Sequence, residues 1–286
     1  AYNFATANSH DFCGGYQTSR YSKYVSLIGE NSHGMQTDYA YDSRRAFIDM
    51  DDNLVIANKA QDKIISRLHR STHKLVNKPA VIFDSQIAKS ILGSLMGAIS
   101  GNSLYRKLSF LNDSIQTKIL PDWISITEDP FVVKGLSSCY FDNEGCMVKP
   151  RTIIQNGVVQ DYLLTGYSAR KLNMQPTGNA GGTHNLAITN NFSGNISKLA
   201  NQLTDGIIIV ETIGHGLNMV TGDYSVGASG LMIKNGIIDG FVDNLTIAGN
   251  MQEIFNNIQY ISDDYSFGSI NCGSILINDG VISISS

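Results

Sequence analysis

Leu231-Met232-Ile233-Lys234-Asn235-Gly236-Ile237-Ile238 reads as a strand, a two-residue turn and the start of a second strand. Asn-Gly supplies two residues that tolerate positive φ, as a tight hairpin turn requires, and the apolar flanks supply the strands. The pattern recurs twice. Asn156-Gly157 stands between Thr152-Ile153-Ile154 and Val158-Val159, and Asp279-Gly280 stands between Ile275-Leu276-Ile277 and Val281-Ile282. Three such signals predict a β-rich region from about residue 135 onward. Two helices interrupt it. One is expected near 196–203, ending before Gly206. The other starts at Asn250, with Glu253 as its capping-box partner and Ile254, Phe255, Ile258 and Ile261 as its apolar residues.

Upstream the pattern changes. Residues 1–50 are rich in Tyr, Ser and Asn, and Tyr24-Val25-Ser26-Leu27-Ile28 alternates, which predicts two or three strands. Residues 53–69 follow a helical period, with Leu54, Ala57, Gln61, Ile64, Ile65 and Leu68 near one stripe. Residues 74–79 read as a linker, so a boundary falls between a domain over 1–78 and a second over 79–286. Residues 80–83 form a short buried strand. Asp84 caps the helix that follows, whose apolar face carries Ile87, Ile91, Leu92, Leu95, Met96 and Ile99. Without an alternating βαβ rhythm, the fold class is α+β: a mixed N-terminal part, then a β-rich C-terminal domain with a few helices.

Composition excludes several functions. Of the 286 residues, 42% are hydrophobic and 16% charged, the balance of a packed globular chain rather than a disordered one. The net charge of −4, with no run of Lys or Arg, argues against nucleic acid as the main partner, because that binding depends on neutralising phosphates. No apolar run approaches the roughly 20 residues of a membrane helix, so no membrane role is expected. Cys13, Cys139, Cys146 and Cys272 show no CxxC spacing and read as free thiols of a reducing cytosol.

The chemistry-bearing residues are dispersed. His69 and His73 are four apart, as helical zinc ligands are, but no Glu follows His69 and the pair falls where the helix runs into the linker. Glu211 and His215 straddle Gly214 and read as loop residues. No Gly-x-Ser-x-Gly elbow or phosphate-binding glycine loop occurs. Cys146 and Cys272 read as structural thiols. Two Gly-rich segments remain: Thr177-Gly178-Asn179-Ala180-Gly181-Gly182-Thr183-His184-Asn185 and Thr221-Gly222-Asp223-Tyr224-Ser225-Val226-Gly227-Ala228. Alone, each reads as a structural turn in preference to a binding loop.

The order of the segments is more telling. Met35-Gln36-Thr37-Asp38-Tyr39-Ala40-Tyr41 is followed by Tyr105-Arg106-Lys107-Leu108-Ser109-Phe110-Leu111 and Ile119-Leu120-Pro121-Asp122-Trp123. Then come Phe141-Asp142-Asn143-Glu144-Gly145, Tyr167-Ser168-Ala169-Arg170-Lys171-Leu172, and the two Gly-rich segments. Ile247-Ala248-Gly249-Asn250 and Asn271-Cys272-Gly273-Ser274 complete the series. This series resembles the PmbA (TldE) branch of the TldD/PmbA family over nearly the whole chain. The resemblance implies that residues 1–78 are the remainder of a longer N-terminal domain, in keeping with a first residue, Ala1, that is not Met.

The resemblance also implies a function. In that family TldD and TldE form a heteromeric zinc metallopeptidase of the bacterial cytosol that trims unfolded or leader-type peptides. The TldD branch carries a His-Glu-x-x-x-His helix that binds zinc and supplies the general base. A gapless match places Asp84 and Lys89 where the histidines would stand and Ser85 where the Glu would stand. Lysine does not ligate zinc unless deprotonated, and serine is no general base at neutral pH. Cys272 corresponds to a third, thiolate ligand. The expectation is therefore a cytoplasmic TldE-like subunit with no catalytic residue or cofactor of its own and zinc in its TldD-like partner. It would help form a chamber and bind peptide, and would self-associate as a homodimer without its partner. Candidate peptide-lining residues are Asn179, Gly181, Gly182, His184, Asn185, Gly222, Asp223 and Tyr224. Two alternatives stand beside it: an autonomous metallopeptidase using His184, His215 and Cys272, and a non-enzymatic regulator in the manner of a gyrase modulator.

Overall fold

A computed structural model describes residues 1–32, 34–73 and 76–285; Lys74 and Leu75 of the expected linker lie outside the described residues. The first 50 residues form four strands rather than two or three: β1 (Tyr2–Ala7), β2 (Cys13–Thr18), β3 (Tyr21–Asn31) and β4 (Gly34–Arg44). They pair as two antiparallel hairpins, β1–β2 and β3–β4. Helix α1 (Asn53–Leu68) follows, its N-terminus capped by Asp52, whose side chain accepts from the Leu54 N–H. The β-rich part comprises β5 (Ala80–Phe83), α2 (Ser85–Ala98), α3 (Gly101–Tyr105), β6 (Ile126–Glu128), β7 (Arg151–Gln155), β8 (Val158–Val159), α4 (Gly166–Leu172), β9 (Leu186–Ile188) and α5 (Ile196–Ala200). It continues through β10 (Asp205–Ile213), β11 (Asp223–Lys234), β12 (Ile237–Asn250), α6 (Met251–Asn256), β13 (Ile258–Ile261), β14 (Ile270–Asn271), β15 (Ile275–Ile277) and β16 (Ser283–Ser285). The fold is α+β.

Two sheets carry that part. One has the order β13-β15-β5-β10-β11-β12-β16, the other β14-β9-β6-β7-β8. Strand β5 lies near the middle of the first, parallel to β10 and antiparallel to β15, and Val81, Ile82 and Phe83 are fully buried. The main core runs from α2 (Ile91, Leu95) through the second sheet (Ile126, Ile153) to α6 (Phe255). Burial at roughly 25 cal/mol per Å² of apolar surface makes this contact the main force holding the layers together.

Two of the three hairpins form as expected. Asn156 and Gly157, and Asn235 and Gly236, all have positive φ and turn β7 into β8 and β11 into β12. The third does not form. β15 uses both edges, one on β13 and one on β5, whereas β16 joins β12 at the far end of the sheet. A strand with both edges occupied leaves no site for the segment that follows it.

Three further expectations are corrected. Ile258 and Ile261 belong to strand β13, where both are buried, because helix α6 ends at Asn256. Asn250 does cap that helix, accepting from the Gln252 N–H rather than through a box with Glu253. The buried track of α1 is Ile56, Ala60 and Ile64; Ile64 belongs to the expected stripe, whereas Leu54 and Ile65 of that stripe are 72% and 55% exposed. Helix α1 sits on the two-stranded β3–β4 ribbon, against Val25, Leu27 and Ala40. So narrow a platform buries one i, i+4 line, and Gly29 lets Ile64 and Leu68 approach where a Cβ would meet Ile64 at 2.5 Å.

Arg67 ties this ribbon and helix to the large sheet. Its Nε donates to Asp38 on β4 (2.6 Å), its Nη2 reaches Glu211 on β10 (2.9 Å), and its guanidinium lies 5.0 Å from the Phe241 ring centroid on β12. Burial works against its charge, but the bonds to Asp38 and Glu211 prevail and raise its pKa. Replacing it leaves Asp38 half-satisfied in a protected place. Arg67→Met is expected to lower stability by about 2 kcal/mol in urea unfolding; a change within about 0.5 kcal/mol would show that the tie contributes nothing.

Candidate functional site

The end of β5 delivers the chain into Asp84, whose Oδ1 accepts from the N–H groups of Gln86 and Ile87 and starts α2. One turn on, Lys89 points back across the sheet. Its Nζ donates to the Ser266 carbonyl (2.9 Å) and to Ser266 Oγ (2.7 Å). Burial lowers the Lys89 pKa, opposed by the charges of Cys272 and Asp84. Burial raises the Asp84 pKa, opposed by the Ile87 N–H and by Lys63 of α1. Cys272 is buried, and burial pushes its thiol up to about 12, with Lys89 pulling the other way. The structure thus brings Asp84, Lys89 and Cys272 into one electrostatic group. Asp264 belongs to it too, fixed by the hydroxyls of Ser262 and Ser274 and by the Ser274 N–H. The N-terminal ribbon borders it: the Tyr41 hydroxyl donates to Gln86 Oε1, and Arg44 lies over the Phe267 ring.

The Gly-rich segment 177–185 is organised by residues that the sequence reading missed. Glu128, at the end of β6, is 2% exposed. Its Oε1 accepts from the His184 N–H (2.7 Å), from Asn179 Nδ2 (2.9 Å) and from His184 Nδ1 (3.1 Å). Its Oε2 accepts from Arg151 Nε (2.8 Å), and Arg151 also bonds Asp161 and Asn179. Asn185 Oδ1 accepts from the Ser137 N–H, while its Nδ2 donates to the Asp129 carbonyl and Ser138 Oγ. Asn179, His184 and Asn185 therefore face inward, and Gly181 and Gly182, with φ of 119° and 115°, are the exposed tip. The second Gly-rich segment is a loop only to Gly222; from Asp223 it is strand β11. Asp223 accepts from Thr221 Oγ1 and Asn250 Nδ2, which lower its pKa, and burial pushes Tyr224 up to about 12.

The two regions are neighbours in the sheet. β9, which leaves the Gly-rich segment, pairs in parallel with β14, which leads into Cys272. The loop over 139–147 backs the segment: Asp142 Oδ2 accepts from the Ala180 N–H, and the Asn143 N–H donates to the Ala180 carbonyl. Asp142, Glu144 and Cys146 are the single group of three potential metal ligands found among the described residues, and Asp142 and Glu144 spend oxygens on the N–H groups of Glu144, Cys146, Ala180 and Gly166. His184, His215 and Cys272 form no such group. His215 is exposed after β10, His73 lies 3.6 Å from Asp239, and Glu211 is engaged by Arg67.

The chain belongs to the PmbA/TldA metallopeptidase family: the family's central-domain model matches residues 2–68 and its C-terminal-domain model matches residues 77–283. The "Metalloprotease PmbA homolog" of Haemophilus influenzae is 40% identical over 277 residues, 96% of this chain and 61% of that protein. "Metalloprotease PmbA" of Escherichia coli O157:H7 is 40% identical over 272 residues, 94% of this chain and 60% of its own length. The chain thus spans about three fifths of the curated relatives it matches. A candidate DNA gyrase modulator from Bacteroides thetaiotaomicron superposes with a TM-score of 0.89 at 25% identity, covering 97% of this chain and 62% of that one. TldE of Thermococcus kodakarensis shares the fold, with a TM-score of 0.86 at 20% identity over 99% of this chain and 67% of its own. No helix among the described residues is long and apolar enough to cross a membrane.

The Glu128–His184 pair makes stability depend on pH at both ends. Burial lowers the His184 pKa, but its bonds to Cys139 and Glu128 outweigh this and raise it from 6.5 to about 9. Burial raises the Glu128 pKa, but its bonds to His184 and the charge of Arg151 bring it below 4.5. The His184 contribution is complete below pH 6.5 and is lost as pH rises through 9; the Glu128 contribution is present above pH 4.5 and is lost as pH falls through its folded value. The Tm gap between wild type and His184→Gln should therefore be widest near pH 6 and close by about pH 10. A gap that does not change with pH would contradict the assignment.

Proposed function

We propose that this chain is the TldE-like, metal-free subunit of a two-chain zinc peptidase of the bacterial cytosol, and that a TldD-like partner supplies the zinc and the general base. The observation that carries this reading is Lys89. Its ammonium stands at a position where the catalytic branch has a ligand, fixed by Ser266 and next to Cys272 and Asp84. These residues do not fit a zinc ion. A resident cation repels a second one, Asp84 is spent on capping α2, and Cys272 is held as a neutral thiol by burial. No catalytic step is therefore assigned to this chain.

Its share of the work is to close the chamber and hold an extended peptide. The outer face of β3–β4 supports that role. Tyr24, Tyr39 and Tyr41 are exposed along it, and Tyr41 abuts Gln86 at the start of α2. Aromatic side chains beside open strand edges suit an extended chain, with main-chain bonds giving affinity and little sequence specificity. The exposed Gly181-Gly182 tip, and Gly222 with Asp223 and Tyr224 at the start of β11, are further candidates for the groove.

Reconstitution tests the reading. The purified chain should cleave no unfolded or leader-type peptide, with or without added zinc, and cleavage should appear on mixing with a TldD-like chain. Zinc-dependent cleavage by this chain alone would overturn the proposal.

A further inference from the structure

Helix α1 carries two apolar tracks, and its own ribbon covers only one. Leu54, Ala57, Gln61, Ile65 and Leu68 form the second at helical spacing, and Leu54 and Ile65 remain 72% and 55% exposed. The contacts of the helix fix which way this track looks. Lys63 Nζ donates to the Tyr39 carbonyl and Arg67 Nε to Asp38, both on β4. Leu68 lies on the opposite flank, at β3. A Cβ on Gly29 of β3 would meet it at 2.9 Å, and Asn31 Nδ2 donates to its carbonyl. The exposed track therefore overhangs the outer edge of β3. That edge is open: no other strand pairs with β3 among the described residues. Tyr39, which faces Ser26, gives its N–H to the Asp38 side chain and its carbonyl to Lys63, so the backbone at the Ser26–Tyr39 pair points away from the ribbon. Alternation along an antiparallel pair then turns Ser22, Tyr24, Ile28 and Glu30 outward as well. These five β3 residues are all exposed, and their outward N–H and C=O groups have no partner among the described residues. An uncovered strand of 11 residues is a template for another strand.

We propose that two copies of this chain pair through β3, antiparallel about a two-fold axis at Ser26, and so join their ribbons into one four-stranded sheet. The occupant is a second copy because the edge is complementary to itself. Centred on Ser26, the register pairs all five outward-facing residues: Ser26 with Ser26, Tyr24 with Ile28, and Ser22 with Glu30. Two main-chain hydrogen bonds for each facing pair make about ten in all. Moving the axis by one residue leaves an outward-facing residue of each copy without a pair. Glu30, the one charged residue of the five, meets a hydroxyl rather than another carboxylate, and Tyr24 against Ile28 is a favourable aromatic–β-branched contact. The helices follow the strands. With strands about 4.8 Å apart, the two ribbons and the helices riding on them stand roughly 10 Å apart, the spacing of packed helices. Helix α1 runs beside β3 in the same direction, since Lys23 Nζ donates to the Asp51 carbonyl at its start and Asn31 to Leu68 at its end. The two helices are therefore antiparallel, and Leu54 of one copy comes to Ile65 of the other. One axis covers both the open edge and the exposed track, while the face carrying Tyr24, Tyr39 and Tyr41 stays open.

Sedimentation velocity of the intact chain, with a disulfide cross-link as the register check, tests this pairing. The wild type is expected to be dimeric at about 100 µM. Facing Cα atoms in a hydrogen-bonded pair lie about 5.5 Å apart, within disulfide range, so Ser26→Cys should cross-link to itself on mild oxidation, as peptide mapping would show. Ser22→Cys, set opposite Glu30, should not. Ser26→Pro removes an outward N–H and no bond of the ribbon, so the fold should persist while the dimer weakens by at least about tenfold. Ile65→Lys, at an exposed helix position, should weaken it by a similar factor of about ten. A chain that is monomeric at that concentration, its β3 edge left to an extended peptide or a TldD-like chain, would overturn the proposal. So would a dimer that Ile65→Lys leaves intact, or one whose Ser26→Cys thiols do not join. If Ser26→Pro fails to fold, Ile65→Lys and the cross-link decide.

Discussion

A carboxylate removed from water must be met by donors, and Glu128 is met by four. Two come from His184, one from Asn179 and one from Arg151. Leaving such a group unpaired costs roughly several kcal/mol, so the polar residues of the Gly-rich segment are fixed by this one side chain. The consequences spread outward. With Asn179 and His184 drawn in, the backbone at Gly181 and Gly182 turns out with positive φ, a conformation that favours glycine. At Gly181 a Cβ would also meet Asn143 of the backing loop at 2.7 Å. That backing loop is covered in turn by aromatic residues of the first hairpin, with Phe4, Phe12 and Tyr16 all within 6 Å of the Phe141 ring. The chain from β6 to the N-terminal hairpin is thus one connected support.

Lys89 is the centre of the second polar group, bonded to Ser266 in the segment that leads into β14. Its ammonium also lies in the field of Cys272 and Asp84. The two centres divide the molecule's polar interior between them. One holds a loop in shape, and the other fixes a partly buried lysine on Ser266.

Local signals in the sequence reached the elements they encode. Asp84 as a cap, the 53–68 helix, and the turns at Asn156-Gly157 and Asn235-Gly236 each depend on residues within a few positions of one another. The Asp279-Gly280 signal was just as strong, yet its flanks go to opposite ends of the sheet, because the edges of β15 were already taken by β5 and β13. Ile258 and Ile261 fit a helical period but serve a strand. Glu128 was overlooked for the same reason. It ends a three-residue strand, Ile126-Thr127-Glu128, and its partners lie 23 to 56 residues further on. Only the alternation Ile124-Ser125-Ile126-Thr127-Glu128, which sets Glu128 on the same buried face as Ile126, hinted at it. The family resemblance singles out Asp84, Ser85 and Lys89, whereas the bond from Lys89 to Ser266 spans 177 positions and was not legible.

The account rests most directly on whether Lys89 has displaced a metal ion, and metal content measures that. Mass-spectrometric zinc analysis of the chain, purified without chelator and then equilibrated with zinc and desalted, should find far less than one zinc per chain. One zinc per chain, lost on replacing Cys272 with serine, would contradict it.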